Sequence, residues 1–477
     1  MGQEISASRF RKQDFSRFGR ALADETALLQ QWHEQGGLSN RHGNIGFELE
    51  AWLVDAEGNP APINEEYLAL LGDSALYTPE LSRFNVELNS TPLALEGDAL
   101  ARMQRELEDN WGRCRKVAQQ LQAELVMIGI LPTVRDTMLS LQNMSRVERY
   151  RALNEQVLRL RQGQPLQLDI VGEQHLEALH GDVMLEAATT SFQLHLQVAQ
   201  HKAVRYYNAL QILSAPLVAI SANSPLLFGK RLWQETRIPL FEQAVAVGGI
   251  AGGAFGPLRR VSFGSGYARH SLMEVFTENA EHFPLLLPVD LGEERTRLHH
   301  LRLHNGTIWR WNRPLVGFDE DGTPHLRLEH RVIPAGPSII DAMANAAFFY
   351  GLVQAVAERP DAAEQQLEFF QARDNFYAAA RYGLNAQVTW LDGRRGRMGE
   401  LLLRLLPLAR QGLAEWGCEP QLSDYYLSVI EQRLRSGQTG SAWQLDYLAR
   451  HGEDLAAMLA AYREGQESGE PVHAWRV

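Results

Sequence analysis

Four segments of the chain alternate apolar and polar residues, the pattern of a β-strand with one buried face. These segments are residues 46–55, 82–89, 190–198 and 325–332. Their apolar positions hold mainly Phe, Leu and Val, whereas many of their polar positions hold Glu, Asn, Gln, His or Arg. Because side chains two apart on a strand point to the same face, each segment predicts a strand with one apolar and one polar face.

Between these strands, apolar residues recur three and four positions apart, which predicts amphipathic helices. The predicted helices span residues 14–35, 97–122 and 145–161. An apolar run at residues 125–131 predicts a further strand.

Beyond residue 338 the pattern predicts helices only, with a break at the Gly-Gln-Thr-Gly run of residues 437–440. Strands mixed with helices, followed by helices alone, indicate an α+β fold. We therefore expect a catalytic domain at residues 1–335 and a helical C-terminal region at residues 336–477 that packs on it.

Two acids stand close together on the first predicted strand. Glu48 and Glu50 project to one face, about 6.5–7 Å apart along the chain, while Phe47, Leu49 and Leu53 face the other way. Adjacent carboxylates repel each other unless cations lie near them. Clusters of oxygen ligands suit Mg²⁺ or Mn²⁺, and nucleotide phosphates often accompany these metals.

Each polar position also has an ordinary explanation. Polar strand faces are usually just solvated, although Trp52 and Val54 share a face with the acid pair and suggest partial cover. His195, on a strand lined with amides, fits a hydrogen-bonded structural histidine. Glu329 and Arg331 fit an ion pair within one strand. The sequence by itself leaves these alternatives open.

Composition narrows the class of protein. The 477 residues carry a formal net charge of −12, which argues against non-specific nucleic-acid binding because that binding depends on clustered Lys and Arg. Two cysteines, Cys114 and Cys418, form neither a disulfide framework nor a zinc site unaided. The sequence shows no signal peptide and no uncharged membrane-length stretch. We expect a cytoplasmic protein without a membrane partner.

Several familiar motifs are missing. The glycine-rich run at residues 248–253 lacks the Gly-Lys-Ser/Thr ending of a phosphate loop and the spacing of a dinucleotide fingerprint. We interpret it as a mobile loop. Neither the His-Glu-x-x-His motif of zinc proteases nor the Gly-x-Ser-x-Gly motif of hydrolases occurs.

Six motifs in order nevertheless resemble one family. They are Gly-x-Glu-x-Glu at 46–50, Glu80 with Glu87, Gln-Leu-His-Leu-Gln-Val at 193–198, Ser-Ala-Asn-Ser-Pro at 221–225, Ile-Trp-Arg-Trp-Asn-Arg-Pro at 308–314 and Glu-His-Arg at 329–331. This series resembles the glutamate–cysteine ligase type 2 family of carboxylate–amine ligases, within the glutamine synthetase superfamily. The resemblance covers about residues 44–335.

The resemblance implies a curved antiparallel sheet of glutamine synthetase type with flanking helices, whose concave face binds ATP and two or three Mg²⁺. Mn²⁺ is an alternative metal. The implied metal ligands are Glu48, Glu50, Glu80, Glu87, His195 and Glu329. Arg313 and Arg331 would contact phosphate during catalysis, with Arg310 as the alternative to Arg313. Asn89 and Arg269 would bind the α-groups of the substrate.

The implied reaction joins glutamate to an amine, with cysteine as the family expectation. The glutamate carboxylate would attack the terminal phosphorus of ATP, and the amine would then displace phosphate from the acyl phosphate. Trp309-Arg310-Trp311 departs from the family pattern, so the amine stays open. A ligase for a different amine, a guanidino kinase and a non-catalytic nucleotide-binding protein are the alternatives. The sequence leaves the oligomeric state open.

Overall fold

One antiparallel sheet organises the molecule. The computed structural model describes residues 9–247, 259–292 and 294–477; the glycine run at 248–253 lies outside this part of the chain. The strands are β1 (Asn44–Val54), β2 (Tyr77–Pro79), β3 (Asn85–Asn89), β4 (Leu93–Ala94), β5 (Glu124–Val126), β6 (Leu166–Val171), β7 (His175–His180), β8 (Phe192–Val198), β9 (Leu226–Leu227), β10 (Lys230–Arg231), β11 (Asn312–Phe318), β12 (Pro324–His330), β13 (Gln387–Thr389) and β14 (Arg395–Arg397).

Eight of these strands form the curled main sheet, in the order β11-β12-β8-β1-β3-β2, with β4 and β5 also paired to β1. The long strand β1 thus pairs antiparallel with four others. Its side chains Phe47, Leu49 and Leu53 are buried on the apolar face. This apolar burial fixes the register, because a slip by one residue would turn every polar side chain into the core.

Helices surround the sheet. They are α1 (Lys12–Glu34), α2 (Asn64–Leu71), α3 (Ala99–Gln120), α4 (Glu148–Leu160), α5 (Ala203–Ser221), α6 (Arg237–Ala244), α7 (Met273–His282), α8 (His299–Gly306), α9 (Ile339–Ala357), α10 (Phe369–Tyr382), α11 (Met398–Glu415), α12 (Pro420–Ser436), α13 (Gly440–His451) and α14 (Leu455–Glu467). Helix α9 is long and apolar enough to cross a membrane by length and composition, but 89% of its apolar stretch is buried inside the protein.

The predicted α+β fold with a curved antiparallel sheet is confirmed. All four alternating segments contain strands, and the predicted helices correspond to α1, α3 and α4. The Gly-Gln-Thr-Gly run separates α12 from α13 as expected. The division into domains at residue 335 stays a prediction.

Two expectations were wrong in detail. The strand predicted at residues 125–131 ends at Val126. The buried chain beyond it leaves the sheet, where Thr190 donates its backbone N–H to the Gly129 carbonyl and its hydroxyl to the Ile128 carbonyl. In the C-terminal region, β13 and β14 form a hairpin where only helices were expected.

The C-terminal helices are tied to the rest by a buried ion pair. Arg433 of α12 donates from Nη2 to Asp341 Oδ1 of α9 at 2.6 Å, and from Nη1 to the Ile220 carbonyl of α5 at 3.1 Å. Asp341 Oδ2 also accepts from the Val472 N–H near the C-terminus. Both charged side chains are almost fully buried. The ion pair joins α12 to α9, and its further hydrogen bonds reach α5 and the backbone at Val472.

We expect Arg433→Met to lower the free energy of unfolding by about 3–5 kcal/mol, because it leaves a buried carboxylate without its partner. The measurement is urea denaturation followed by circular dichroism. Arg435→Met is the matched control on the same helix, since its ion pair with Glu431 is exposed and is worth at most about 1 kcal/mol. Equal losses in the two variants would contradict this role for Arg433.

Candidate active site

The register of the sheet brings predicted ligands from four strands onto one face, with acids on β1, β3 and β12 and His195 on β8. Glu50 on β1 lies directly opposite Glu87 on β3. On the other side of β1, His195 of β8 lies opposite Glu329 of β12, which in turn lies opposite Arg313 of β11. Antiparallel neighbours on one face approach within about 4.5–5.5 Å at Cβ, so pairing alone assembles most of the predicted ligands.

The six predicted ligands divide into two groups of three. The histidine triad consists of Glu48, His195 and Glu329, and the carboxylate triad consists of Glu50, Glu80 and Glu87. Within each triad, one side-chain oxygen or nitrogen per residue lies within 4.8 Å of the other two. Each triad therefore has the donor set and spacing that could hold one metal ion.

The histidine triad is built around an imidazole without hydrogen bonds. Both ring nitrogens of His195 are buried without a hydrogen-bond partner in the part of the chain that the structure describes, and Nε2 lies 3.4 Å from Glu48 Oε1. Burial and the nearby Arg327 charge lower the pKa of His195 to about 4. The ring is thus neutral at physiological pH, which is the form that ligates metals.

Glu329, the third member, is held by two arginines. Arg313 donates from Nε and Nη2 to the two oxygens of Glu329 at 2.8 and 2.9 Å. Arg331 adds a contact of 3.1 Å from Nη1 to Oε2. Although burial opposes ionisation, Arg313 and Arg331 hold the pKa of Glu329 well below its usual value. The ion pair between Glu329 and Arg331 is present, and it coexists with the triad geometry.

The carboxylate triad has less positive charge around it. Burial and the neighbouring Glu87 raise the pKa of Glu50 to about 7, against the opposing effect of Arg331. Burial, Glu87 and Glu50 raise the pKa of Glu80 well above its usual value. Glu87 accepts hydrogen bonds from neutral donors, Thr78 at 2.7 Å and Asn89 at 3.0 Å. A bound cation would offset this repulsion.

Gln193 connects the two triads, a role that the sequence analysis missed. Its Nε2 donates to Glu50 Oε1 at 2.8 Å, and its Oε1 accepts from Arg331. The second oxygen of Glu50 accepts the Ser191 N–H at 2.7 Å. The only signal in the sequence was an amide on a polar strand face, because its partners sit on other strands.

A further acid, Glu186, adds to the negative charge. It lies in the short 3-10 turn Met184–Ala188, where no strand alternation marks it. Burial and the charge of Glu50 raise the pKa of Glu186 to about 8, although Arg331 acts in the opposite direction. The carboxylate triad therefore has a fourth acid close enough to influence it.

Arg237 holds the backbone at Arg331 in place. It is 2% exposed and donates to the backbone carbonyls of Arg331 and Val332 and to Glu235 Oε1. Its guanidinium also lies over the Trp311 ring, 5.4 Å from the centroid. These contacts fix the chain that carries Arg331, and no motif in the sequence pointed to them.

Arg310 is not brought together with the triads. It donates from Nη2 to Asn279 Oδ1 at 3.0 Å and lies 3.3 Å from Glu278 Oε1, both on α7. Its neighbour Trp311 is buried and donates to Glu242 at 2.9 Å. Arg269 is exposed and makes a backbone contact to Glu274. Arg310 and Arg313 were the alternatives for one phosphate contact, and only Arg313 lies on the same sheet face as the triads.

The titration of Glu50 and Glu186 should lower the free energy of unfolding of the metal-free protein by about 2–3 kcal/mol between pH 6.5 and 8.5. A carboxyl whose folded pKa exceeds its unfolded value stabilises the fold below the unfolded pKa, and this stabilisation is lost as pH rises through the folded pKa. Glu50 and Glu186 have folded pKa values of about 7 and about 8. Urea denaturation in the presence of a chelator measures the slope.

Buried histidines with lowered folded pKa values act in the opposite direction at the lower end of this window, because the histidines of the unfolded chain titrate near 6.5. The comparison is therefore with Glu186→Gln, whose slope should be less negative than that of the unsubstituted protein, whereas the exposed control Glu173→Gln should leave the slope unchanged. Equal slopes in Glu186→Gln and in the unsubstituted protein would contradict the charge crowding inferred here.

Comparisons with known proteins agree with the geometry. The family model of glutamate–cysteine ligase family 2 matches residues 44–461, so the match extends into the C-terminal region, beyond the resemblance noted over about residues 44–335. A search of curated proteins finds no match.

Two solved structures share the fold at low sequence identity. Glutamate–cysteine ligase from Francisella tularensis, solved in complex with AMP, has a TM-score of 0.57 at 13% identity. The alignment covers 91% of this chain and 90% of the Francisella tularensis chain. A bifunctional glutathione synthetase from Pasteurella multocida has a TM-score of 0.53 at 12% identity. That alignment covers 92% of this chain and 54% of the Pasteurella multocida chain. With the family match over most of its length, the chain belongs to glutamate–cysteine ligase family 2.

Proposed function

We propose that the chain is an ATP-dependent carboxylate–amine ligase that forms a γ-glutamyl amide and releases ADP and phosphate. The observation that carries this proposal is the pair of triads on one sheet face, with Arg331 in contact with Glu329 and linked through Gln193 to Glu50. Family membership supports a ligase, and the AMP bound to the Francisella tularensis enzyme supports a nucleotide site.

The residues present fit divalent cations. In the histidine triad, a buried neutral imidazole has no hydrogen-bond partner at either nitrogen. In the carboxylate triad, Glu50 and Glu87 accept hydrogen bonds from neutral donors, and the charges of Arg331 and Arg149 only partly offset the raised pKa values of Glu50 and Glu80. Oxygen ligands with one imidazole suit Mg²⁺ or Mn²⁺. When bound, Mg²⁺ would supply positive charge that neutralises oxygens of ATP and of the transferred phosphoryl group.

Arg331 is the residue that we assign to the transferred phosphoryl group. Its Nη1 is engaged by Glu329 and Gln193, but its Nε is buried without a hydrogen-bond partner. The nearby acids Glu329, Glu50 and Glu48 raise the pKa of Arg331 against the effect of burial, so it stays charged. A fixed guanidinium of this kind stabilises developing negative charge on phosphoryl oxygens.

Arg313 has a more restricted role in this proposal. Two of its N–H groups are used by Glu329, and Nη1 lies 3.3 Å from the Gly306 carbonyl. It therefore orients Glu329 and adds positive charge near the phosphate. Arg310 has no such placement, and we leave it out of the nucleotide contacts.

The chemistry then needs alignment more than covalent help from the protein. The glutamate γ-carboxylate attacks the terminal phosphorus of ATP, and ADP leaves. The amine attacks the resulting acyl carbon, loses a proton and displaces phosphate. We assign Asn89, which borders the carboxylate triad through Glu87, to the bound glutamate. Cysteine is the first amine to test, and we place the reaction in the cytoplasm.

The test is an ADP-release assay with glutamate and a panel of amines that includes cysteine, followed by mass spectrometry of the products. A ligase releases ADP and forms an amide only when acid and amine are both present. A stable phosphorylated product without an amide would instead indicate a kinase. ATP binding without turnover on any substrate pair would indicate a non-catalytic protein.

Glu50→Gln and Glu87→Gln should each lower amide synthesis by about a thousandfold or more, because several kcal/mol of charge stabilisation depends on a held metal. Both variants should unfold at the same or higher urea concentration, since each removes repulsion. Glu96→Gln, on an exposed position, is the matched control and should keep full activity. Near-normal synthesis by both site variants would contradict the assignment of the carboxylate triad.

His195→Ala should raise the Mg²⁺ concentration for half-maximal activity by about tenfold or more, as expected for a group that supports a metal. The exposed His201, just after β8, provides the matched control His201→Ala. If the Mg²⁺ titration of His195→Ala equals that of the control, His195 has only a structural role.

A further inference from the structure

The Ser-Ala-Asn-Ser-Pro motif at 221–225 is not used by the reaction proposed above, yet its asparagine is completely buried. Asn223 lies just beyond the end of α5. Its Nδ2 donates to the Ala335 carbonyl and to the Tyr462 hydroxyl, each at 2.8 Å. Its Oδ1 accepts from Gln444 Nε2 at 3.0 Å. Both donors and the oxygen of this amide are therefore engaged, as expected of a polar group that fixes the segments around it.

Two helices of the C-terminal region hold the amide of Asn223. Gln444 lies on α13 and Tyr462 on α14. The Tyr462 hydroxyl in turn donates to the Met127 carbonyl at 2.9 Å. At the first residue of α13, a Cβ atom on Gly440 would collide with the Asn223 side chain, so the helix approaches this closely because it begins with glycine.

The backbone of the same motif holds a buried acid, Glu235. The Asn223 N–H donates to Glu235 Oε2 at 2.8 Å, and the Ser224 hydroxyl donates to Oε1 at 2.7 Å. Glu235 Oε1 also lies 3.2 Å from Arg237 Nε, and both charged side chains are almost fully buried. The position of this carboxylate therefore depends on the motif as well as on Arg237.

Arg237 extends this arrangement to the segment that carries Arg331, the first residue after β12. It donates from Nη1 to the Arg331 carbonyl at 3.1 Å and from Nη2 to the Val332 carbonyl. The carbonyl of Ala335, farther along the segment, accepts from Asn223. One buried network thus holds three carbonyls of the segment that begins with Arg331.

We propose that Asn223 is a positioning residue for Arg331. It acts through the buried ion pair of Glu235 and Arg237 and through the Ala335 carbonyl, rather than by contact with substrate. Helices α13 and α14 are then part of the support of the active site. This role rests on the function proposed for Arg331 at the transferred phosphoryl group, where a displacement of about 1 Å costs about a hundredfold in rate.

The first experiment is a double-mutant cycle on amide synthesis by the full chain. Asn223→Ala should lower kcat about a hundredfold with little change in the KM for ATP, because Arg331 acts on the transition state. In the Arg331→Lys background, the same substitution should lower kcat by less than about threefold, because the group that it positions is already lost. An equal fold loss in both backgrounds would overturn the proposal.

Asn375→Ala is the matched control within the C-terminal region. Asn375 is also buried, and its amide makes two hydrogen bonds with the Thr389 backbone, outside the network around Asn223. The control should lower the free energy of unfolding but leave kcat unchanged. If it lowers kcat as much as Asn223→Ala does, the loss reflects a buried cavity of any kind and the proposal is wrong.

Tyr462→Phe perturbs the network from α14 and keeps the ring that packs against Trp443 and Trp475. It removes one hydrogen-bond partner of Asn223 and should lower kcat about fivefold. Because only a hydroxyl is lost, this variant decides the question if Asn223→Ala does not fold. Tyr447→Phe, the same change at a partly buried tyrosine of α13, should have no effect. Equal kcat values in the two tyrosine variants would contradict the proposal.

Hydrogen–deuterium exchange tests the positioning role without requiring turnover. In Tyr462→Phe, the amides of residues 331–333 should exchange about fivefold faster than in the unsubstituted protein, whereas those of β3 should not change. Unchanged exchange at 331–333 would overturn the proposal even if the chain is an active ligase. Faster exchange in a chain that forms no amide with any tested amine would instead contradict the proposed function and support the coupling of Asn223 to this segment.

Discussion

The structure depends on holding several carboxylates together on one face of a sheet. Glu48 and Glu50 lie on the central strand β1, flanked by β3 and β8, so their repulsion is built into the middle of the fold. The apolar face of the same strand fixes the register and prevents relief by slippage. The fold therefore has to supply compensating charge and hydrogen bonds from neighbouring strands.

The compensating charge differs between the two triads, and this difference supports the proposed function. In the histidine triad, Arg313 and Arg331 contact Glu329, so Glu329 is stably ionised. The carboxylate triad hydrogen-bonds neutral groups, namely Gln193, Thr78 and Asn89. Retaining unbalanced acids in a buried place costs stability, and a cation-dependent role explains why such an arrangement exists.

Much of this site could be predicted because it lies on alternating strands. The alternating patterns placed Glu48, Glu50 and Glu87 on the polar faces of their strands, and the pairing of β1 with β3 brings those faces together. Glu80 follows the short strand β2 and has no pattern of its own, so only the family resemblance identified it. The division into two triads depended on which strands pair, and a single sequence does not contain that information.

Other features could not be predicted from the sequence, for physical reasons that the structure shows. The apolar run at 125–131 has strand-like composition, yet hydrogen bonds to Thr190 take its backbone out of the sheet. Glu186 lies in a 3-10 turn, where neither helical nor strand periodicity applies. Arg310 stands three residues before Arg313 in one motif, but the chain turns it toward Asn279 and Glu278 on α7. Its placement follows from these contacts and could not be predicted from the spacing of the motif.

We propose that each of the two triads binds one metal ion. The most direct measurement is the number of Mn²⁺ ions bound per chain, followed by electron paramagnetic resonance of free Mn²⁺ without nucleotide. We expect two bound ions, with one lost in Glu87→Gln and the other lost in His195→Ala. Binding that is absent, or that is the same in both variants as in the unsubstituted protein, would contradict it.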